Sequence, residues 1–149
     1  MSKATVPPSL PRLVKPTLDT PFHIDYGWWK KQGIQISAEI RTHLCLEHQE
    51  VYSTHFDTEQ IDWIDKKTGE VTKVDGLQRV LQMHCSQQPD YINESLSLVD
   101  AVFRVFLANG NEPLTAEELS QLVGRPAEKI LHTLSGIRVY KGIRPMQGK

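Results

Sequence analysis

The sequence has few cysteines and no long apolar run. Only two cysteines occur in 149 residues, which excludes a disulfide-stapled scaffold of the kind found in small secreted proteins. No stretch approaches the roughly 20 apolar residues that a membrane-spanning helix needs, and the first residues lack the apolar segment of a secretory signal. We therefore expect a cytoplasmic protein without membrane contact, whose thiols stay reduced and can bind metal.

Motifs typical of enzymes are also absent. There is no glycine-rich loop to cradle a phosphate and no serine-nucleophile motif. Cys85 follows a histidine, but neighbours in sequence rarely face each other as nucleophile and base. Acidic residues at 57, 59, 62 and 65 could hold magnesium, yet Asp62 and Asp65 suit solvent-facing positions on a strand and a turn. The sequence predicts a protein that is not an enzyme and has no small-molecule substrate.

The net charge of −1 argues against a general binder of polyanions, but the charge is distributed unevenly. Residues 125–149 hold six basic residues and one acidic residue, a net charge of +5. The rest of the chain therefore carries −6. A basic C-terminal patch could hold a phosphate backbone. The alternative is a solvated basic tail.

Three segments are predicted from composition and pattern. Residues 1–21 contain five prolines and are expected to form an extended, flexible arm. Residues 22–92 combine helical patterns with a β-hairpin, and residues 93–149 are mainly helical. The expected fold class is α+β and mainly helical, with an apolar content of 39% that suits a soluble core.

The pattern of residues 22–92 places a hairpin between two helices. A helix is predicted over residues 38–51, with Ser37 as its N-cap. Two strands follow at residues 61–65 and 70–74, joined by a turn. A second amphipathic helix is predicted over residues 76–85.

Both cysteines lie beside histidines, in C-L-E-H at residues 45–48 and in H-C at residues 84–85. Thiolate and imidazole are the usual ligands of tetrahedral zinc, and a closed set of four is typical of a structural site. His43 or His55 could replace one ligand. The alternative is that Cys45 is a buried apolar side chain and the histidines lie on the surface. The predicted ligands of a structural Zn²⁺ ion are Cys45, His48, His84 and Cys85.

A pair of tryptophans lies in a short predicted helix that Asp25 begins and Gly33 ends. Trp28 and Trp29 could stack on bases or anchor a protein partner. The favoured interpretation is packing, because large aromatic side chains mostly fill cores and seams.

The C-terminal segment predicts three helices and a strand. Residues 138–144 alternate apolar and polar side chains, as a strand does. The helices are bounded by caps, turn residues and a proline. In chain order these signals are Ser95 or Ser97, Asn109-Gly110-Asn111, Thr115 with Glu118, Gly124, Pro126 and Gly136.

Three helices with a short turn between the second and third, followed by a strand, resemble the winged helix-turn-helix family. The resemblance covers residues 95–145, about a third of the chain. It implies that the third helix enters the major groove and that the following wing contacts phosphates. A full wing has two strands, whereas this sequence predicts one. The nucleic-acid-binding residues implied are Arg125, Lys129, His132 and Thr133 on the helix and Arg138, Tyr140, Lys141 and Arg144 in the wing.

Two functions remain open from the sequence. The first is a DNA-binding protein, such as a transcriptional regulator, with a zinc-stabilised N-terminal module. The second is a non-enzymatic adaptor subunit that docks a protein partner through the winged-helix surface and the two tryptophans. Fold alone does not decide between them, because many winged-helix domains bind proteins.

Overall fold

Helices account for about half of the residues that the structure describes. The structure is a computed structural model that describes residues 15–51, 60–64 and 71–146. The α+β class is confirmed. The helices are α1 (Tyr26–Gln32), α2 (Ile36–Arg41), α3 (Leu46–Val51), α4 (Gly76–Met83), α5 (Leu98–Ala108), α6 (Ala116–Val123) and α7 (Ala127–Leu134). The strands are β1 (Pro21–Ile24), β2 (Gln60–Ile64), β3 (Val71–Asp75), β4 (Leu114–Thr115) and β5 (Ile143–Pro145), and a 3₁₀ turn spans Cys85–Gln87.

None of the helices in these three ranges combines the length and the apolar character that crossing a membrane requires.

β1 is the central strand of a three-stranded antiparallel sheet, between β4 and β5. Phe22 pairs with Leu114 of β4, and Ile24 pairs with Ile143 of β5. The side chains of Phe22 and Ile24 are buried, as alternate positions on a strand with one covered face should be. The Asn111 side chain bonds the backbone of Ile24 twice, accepting from its N–H at 2.8 Å and donating to its carbonyl at 2.9 Å. The sheet therefore joins both ends of the described chain.

One hydrophobic core connects the two segments predicted at residues 22–92 and 93–149. α5 contributes Val102, Phe103 and Phe106, all fully buried. The two segments therefore share one core as well as one sheet. Aliphatic side chains from both pack into this core: Ile40, Leu44, Leu77 and Leu81 from the first, and Leu119, Ile130 and Leu134 from the second.

The caps predicted for α5 and α6 are confirmed. The Ser97 side chain accepts the backbone N–H of Asp100 and begins α5. Thr115 and Glu118 form the predicted reciprocal capping box at the start of α6. Gly124 ends α6 in the left-handed region, at φ 71°. These signals act within one turn of the chain, which makes them recognisable in the sequence.

The ends of α7 differ slightly from the prediction. Pro126 is the N-cap, one position before the first helical residue, and its φ of −61° suits the entry into a helix. The helix ends at Leu134 with Ser135 as its C-cap, so Gly136 lies beyond the end.

Two predicted segments are only partly described. Of the arm predicted over residues 1–21, the structure describes residues 15–21, and Pro21 begins β1. The predicted hairpin strands are confirmed as β2 and β3, which pair antiparallel. The turn between them lies outside the described residues.

The single helix predicted over residues 38–51 is wrong, because the chain breaks between α2 and α3. The predicted cap is also wrong, since Gln35 takes the N-cap position of α2 without a side-chain bond. At the break, the Gln49 amide donates to the carbonyls of Leu44 at 2.8 Å and Thr42 at 3.3 Å. These bonds satisfy carbonyls that a continuous helix would have paired.

The strand predicted over residues 138–144 is shorter, because only its end belongs to β5. Lys141 and Gly142 take left-handed backbone conformations, with φ of 53° and 75°, which an extended strand does not contain. The Trp29 indole donates to the Lys141 carbonyl at 3.0 Å. The segment before β5 is therefore a loop held against α1.

We predict that Gly142→Ala strongly destabilises the fold. A Cβ at this position would lie 2.7 Å from Trp29 Nε1, and the residue already has a positive φ. The expected loss in the free energy of unfolding is roughly 2–4 kcal/mol, measured by denaturant unfolding.

Gly136→Ala is the matched control. A Cβ there meets nothing within 4 Å, and its φ lies outside the left-handed range. Equal stability losses in the two variants would contradict the role of the contact between Gly142 and Trp29.

Candidate metal centre

Three of the predicted metal ligands meet where the α2–α3 break faces the end of α4. Cys45 is the residue before α3, and its carbonyl accepts the backbone N–H of His48 and Gln49. His48 therefore lies in the first turn of α3. Leu77 and Leu81 are buried on α4, and Cys85, the first residue of the 3₁₀ turn that follows, is buried as well.

The ligand atoms of Cys45, His48 and Cys85 lie close together. Cys45 Sγ is 3.2 Å from His48 Nδ1 and 3.4 Å from Cys85 Sγ, and Cys85 Sγ is 3.7 Å from His48 Nδ1. Tetrahedral zinc, with Zn–S of about 2.3 Å and Zn–N of about 2.0 Å, separates such ligand atoms by about 3.5–3.8 Å. These three residues could hold a metal ion.

The two thiols are free and form no disulfide. Burial raises the pKa of the Cys85 thiol to about 11, and the hydrogen bond with Cys45 also raises it. A buried thiol of this kind stays protonated without a cation beside it, whereas a bound metal ion deprotonates its cysteine ligands.

His84, the fourth predicted ligand, lies beside the other three but does not join them. Its ring centroid is 4.5 Å from that of His48. Its Nε2 atom lies 3.4 Å from Gln88 Nε2 and 3.8 Å from Glu47 Oε1, and the side chain is 44% exposed. The group of ligand atoms within 4.8 Å of one another contains Cys45, His48 and Cys85 without His84.

His43, one of the two alternative ligands, belongs to a different cluster. Its side chain is 4% exposed. Arg104 Nε donates to Nδ1 at 3.0 Å, and Nε2 lies 2.8 Å from Glu39 Oε2. Because arginine can only donate, Nδ1 accepts and the ring proton is on Nε2. Both nitrogens are thus engaged, while His55, the other alternative, lies outside the described residues.

This second cluster is ionic. Lys141 Nζ contacts Glu39 Oε2 and lies 3.2 Å from Asp100 Oδ1. The hydrogen bond from His43 and the bond and charge of Lys141 lower the pKa of Glu39 to about 2. Burial alone would lower the pKa of Lys141, but the bonds and charges of Glu39 and Asp100 outweigh it and raise that pKa. Of this cluster, only the i,i+4 spacing of Glu39 and His43 was visible in the sequence.

A cavity of about 440 Å³ is lined by residues of the metal cluster and by His43 of the ionic cluster. Cys45, Cys85 and His84 line it, and so do His43 and Arg104. A volume of this size is within the range of small-molecule sites.

Three of the eight predicted nucleic-acid contacts are used inside the protein. Arg125 Nη2 donates to the carbonyl of Leu96 at 2.6 Å. Lys141 belongs to the ionic cluster, and Arg144 Nη1 lies 3.3 Å from Asp25 Oδ2.

The other five predicted residues are more accessible to a nucleic acid. Lys129 and His132 are exposed on α7, and Thr133 beside them is half-buried. Arg138 and Tyr140 lie on the loop before β5, with the guanidinium carbon 5.3 Å from the ring centroid. Together these side chains form the available part of the predicted surface.

Comparison with known proteins gives no relative. No protein-family model, no curated protein and no solved structure matches this chain.

We predict that Glu39→Gln lowers the stability at neutral pH and that the loss shrinks in acid. Because the carboxyl pKa falls from 4.5 to about 2 on folding, its contribution is complete above about pH 5 and disappears as the pH falls through 2. A shift of this size corresponds to roughly 3 kcal/mol at most. Allowing for partial solvent screening, we expect a loss of about 1–3 kcal/mol at pH 7, measured by urea unfolding at pH 7, 4 and 2.5.

Glu94→Gln is the matched control, because Glu94 is exposed. A difference between Glu39→Gln and wild type that stays constant from pH 7 to 2.5 would contradict the lowered pKa.

Proposed function

We propose that this protein binds a structural Zn²⁺ ion through Cys45, His48 and Cys85. The observation that carries the proposal is the set of three ligand-atom distances, which lie between 3.2 and 3.7 Å and come close to the edges of a zinc tetrahedron. Two sulfurs and one imidazole nitrogen form a donor set that favours zinc over magnesium or calcium.

The ion would stabilise the contact between α3 and the 3₁₀ turn, which are both short. α3 has six residues, and the 3₁₀ turn has three. Helices of this length are marginal by themselves. A metal ion bound to both would hold them together, and its binding free energy would add to the stability of the fold.

We predict about one zinc ion per chain in reduced protein purified without chelator, measured by elemental analysis. Cys45→Ser, His48→Ala and Cys85→Ser should each lose the ion, and a strong chelator should lower the melting temperature of wild type.

His132→Ala is the control, because its histidine lies on α7 and is exposed, so its zinc content should equal that of wild type. Wild-type protein that takes up no zinc on reconstitution would contradict the proposal.

We propose nucleic-acid binding as a second function, in the manner of a winged helix-turn-helix domain. Support comes from the chain order of α5, α6 and α7, with the short strand β4 before α6 and β5 after α7. The sequence predicts one strand for the wing, and in the sheet β1 lies between β4 and β5, which is consistent with a wing completed by a strand from an earlier part of the chain. DNA is the expected ligand, and transcriptional regulation the expected role.

The surface that favours this function consists of Lys129, His132 and Arg138. The first two are exposed on the third helix of the unit, and Arg138 is exposed on the following loop. Cations on a helix face and on the segment after it could contact successive phosphates of a duplex.

The adaptor function is supported by a smaller surface. Trp29 is 5% exposed and packs in the core, and Trp28 is partly buried against the core. Within residues 95–145, the large apolar side chains exposed to a protein partner are those of Ile137, which is fully exposed, and Leu122, which is 54% exposed.

We predict that Lys129→Ala and Arg138→Ala each weaken binding to duplex DNA and reduce the salt slope by about one unit. Fluorescence anisotropy at several salt concentrations measures both effects.

Lys31→Ala, at an exposed position on α1, should leave binding unchanged. No binding to any duplex at low salt, together with a stoichiometric protein partner lost in Ile137→Asp, would favour the adaptor function instead.

A further inference from the structure

The proposed zinc site borders the 440 Å³ cavity on the side of its two sulfurs. Cys45 and Cys85 line the cavity, whereas His48 does not. With three protein ligands in place, a tetrahedral ion has one further position, and the cavity is where a ligand could reach it.

The placement of His84 argues against this side chain as the fourth ligand. Its Nε2 atom lies beside Gln88 Nε2 and Glu47 Oε1, and the ring would have to turn away from both to reach the ion. The ring instead meets His48 edge-on. In this arrangement His84 contacts the His48 ring from outside the group of ligand atoms.

The cavity also contains a group that suits an anion. Among the described residues that line the cavity, Arg104 is the one lysine or arginine. Its Nε atom donates to His43 Nδ1 and its Nη1 atom to the Tyr91 carbonyl. These two hydrogen bonds fix the orientation of the guanidinium group. A guanidinium held in this way is a favourable partner for a carboxylate oxygen.

We propose that the ion keeps one exchangeable position, and that the cavity binds a small carboxylate there, with one oxygen on the metal and charge complementarity from Arg104. Carboxylate oxygen is a normal zinc ligand, at about 2.0–2.2 Å. Glu47 and Asp90 also line the cavity, but both are exposed, so solvent screens their repulsion. This inference rests on the proposed zinc site.

The test uses the full chain loaded with Co²⁺, whose visible spectrum reports the coordination of the ion. We expect His84→Ala to bind Co²⁺ with the wild-type spectrum, whereas His48→Ala removes a ligand and should lose that spectrum together with the ion. Titration of wild type with acetate, and separately with succinate, should shift the spectrum saturably. Arg104→Lys should weaken the carboxylate effect at least about fivefold, and Arg138→Lys should not.

Each remaining outcome is decisive. If His84→Ala or His55→Ala changes the spectrum as much as His48→Ala, the site is closed by a histidine and the inference is wrong. A wild-type spectrum that neither carboxylate changes also overturns it, whether or not Arg104→Lys folds. Failure of wild type to bind either Co²⁺ or Zn²⁺ contradicts the zinc site itself, which distinguishes that failure from a closed site.

Discussion

The fold depends on β1 lying between β4 and β5. Four residues near the start of the described chain supply the strand that both partners need, and Phe22 and Ile24 carry its buried side. Without β1, the backbone groups of β4 and β5 that pair with it would be left open. Asp25, the residue after β1, caps α1 and pairs with Arg144 of β5. This position of β1 sets α1, and with it Trp29, against the loop before β5.

A continuous set of contacts leads from that loop to the candidate metal centre. Trp29 holds the backbone of Lys141, whose ammonium group contacts Glu39 on α2. Glu39 bonds His43, which lies two residues before Cys45. The ionic cluster therefore holds the α2 side of the break between α2 and α3. The Gln49 amide holds the α3 side through its hydrogen bond to the Leu44 carbonyl. Cys45 faces Cys85 because both sides of the break are held, so the two clusters are parts of one arrangement.

What the sequence predicted well is local in the chain. Ser97, Thr115 and Gly124 act within one helical turn. What it missed needs partners far apart. Residues 21–24 are too short to predict a central strand, and the loop around Lys141 takes its shape from Trp29. The histidines also depend on distant partners. Both nitrogens of His43 are engaged by Glu39 and Arg104, whereas Nδ1 of His48 lies beside two sulfurs. Sequence spacing alone does not tell which of the two histidines can bind a metal.

The two clusters also differ in a way that bears on the metal. Glu39, His43 and Asp100 have ligand atoms close enough together to hold an ion, but the protein supplies its own cation there, the ammonium group of Lys141. Within the described residues, the thiols of Cys45 and Cys85 contact each other and His48. None of these contacts involves a lysine or an arginine. Two thiols and an imidazole in one place form a set of donors that a cation would complete. The ionic cluster contains its own positive charge, the ammonium group of Lys141, whereas the cluster of two thiols and an imidazole contacts no such group among the described residues. This difference is why the metal is proposed at Cys45, His48 and Cys85.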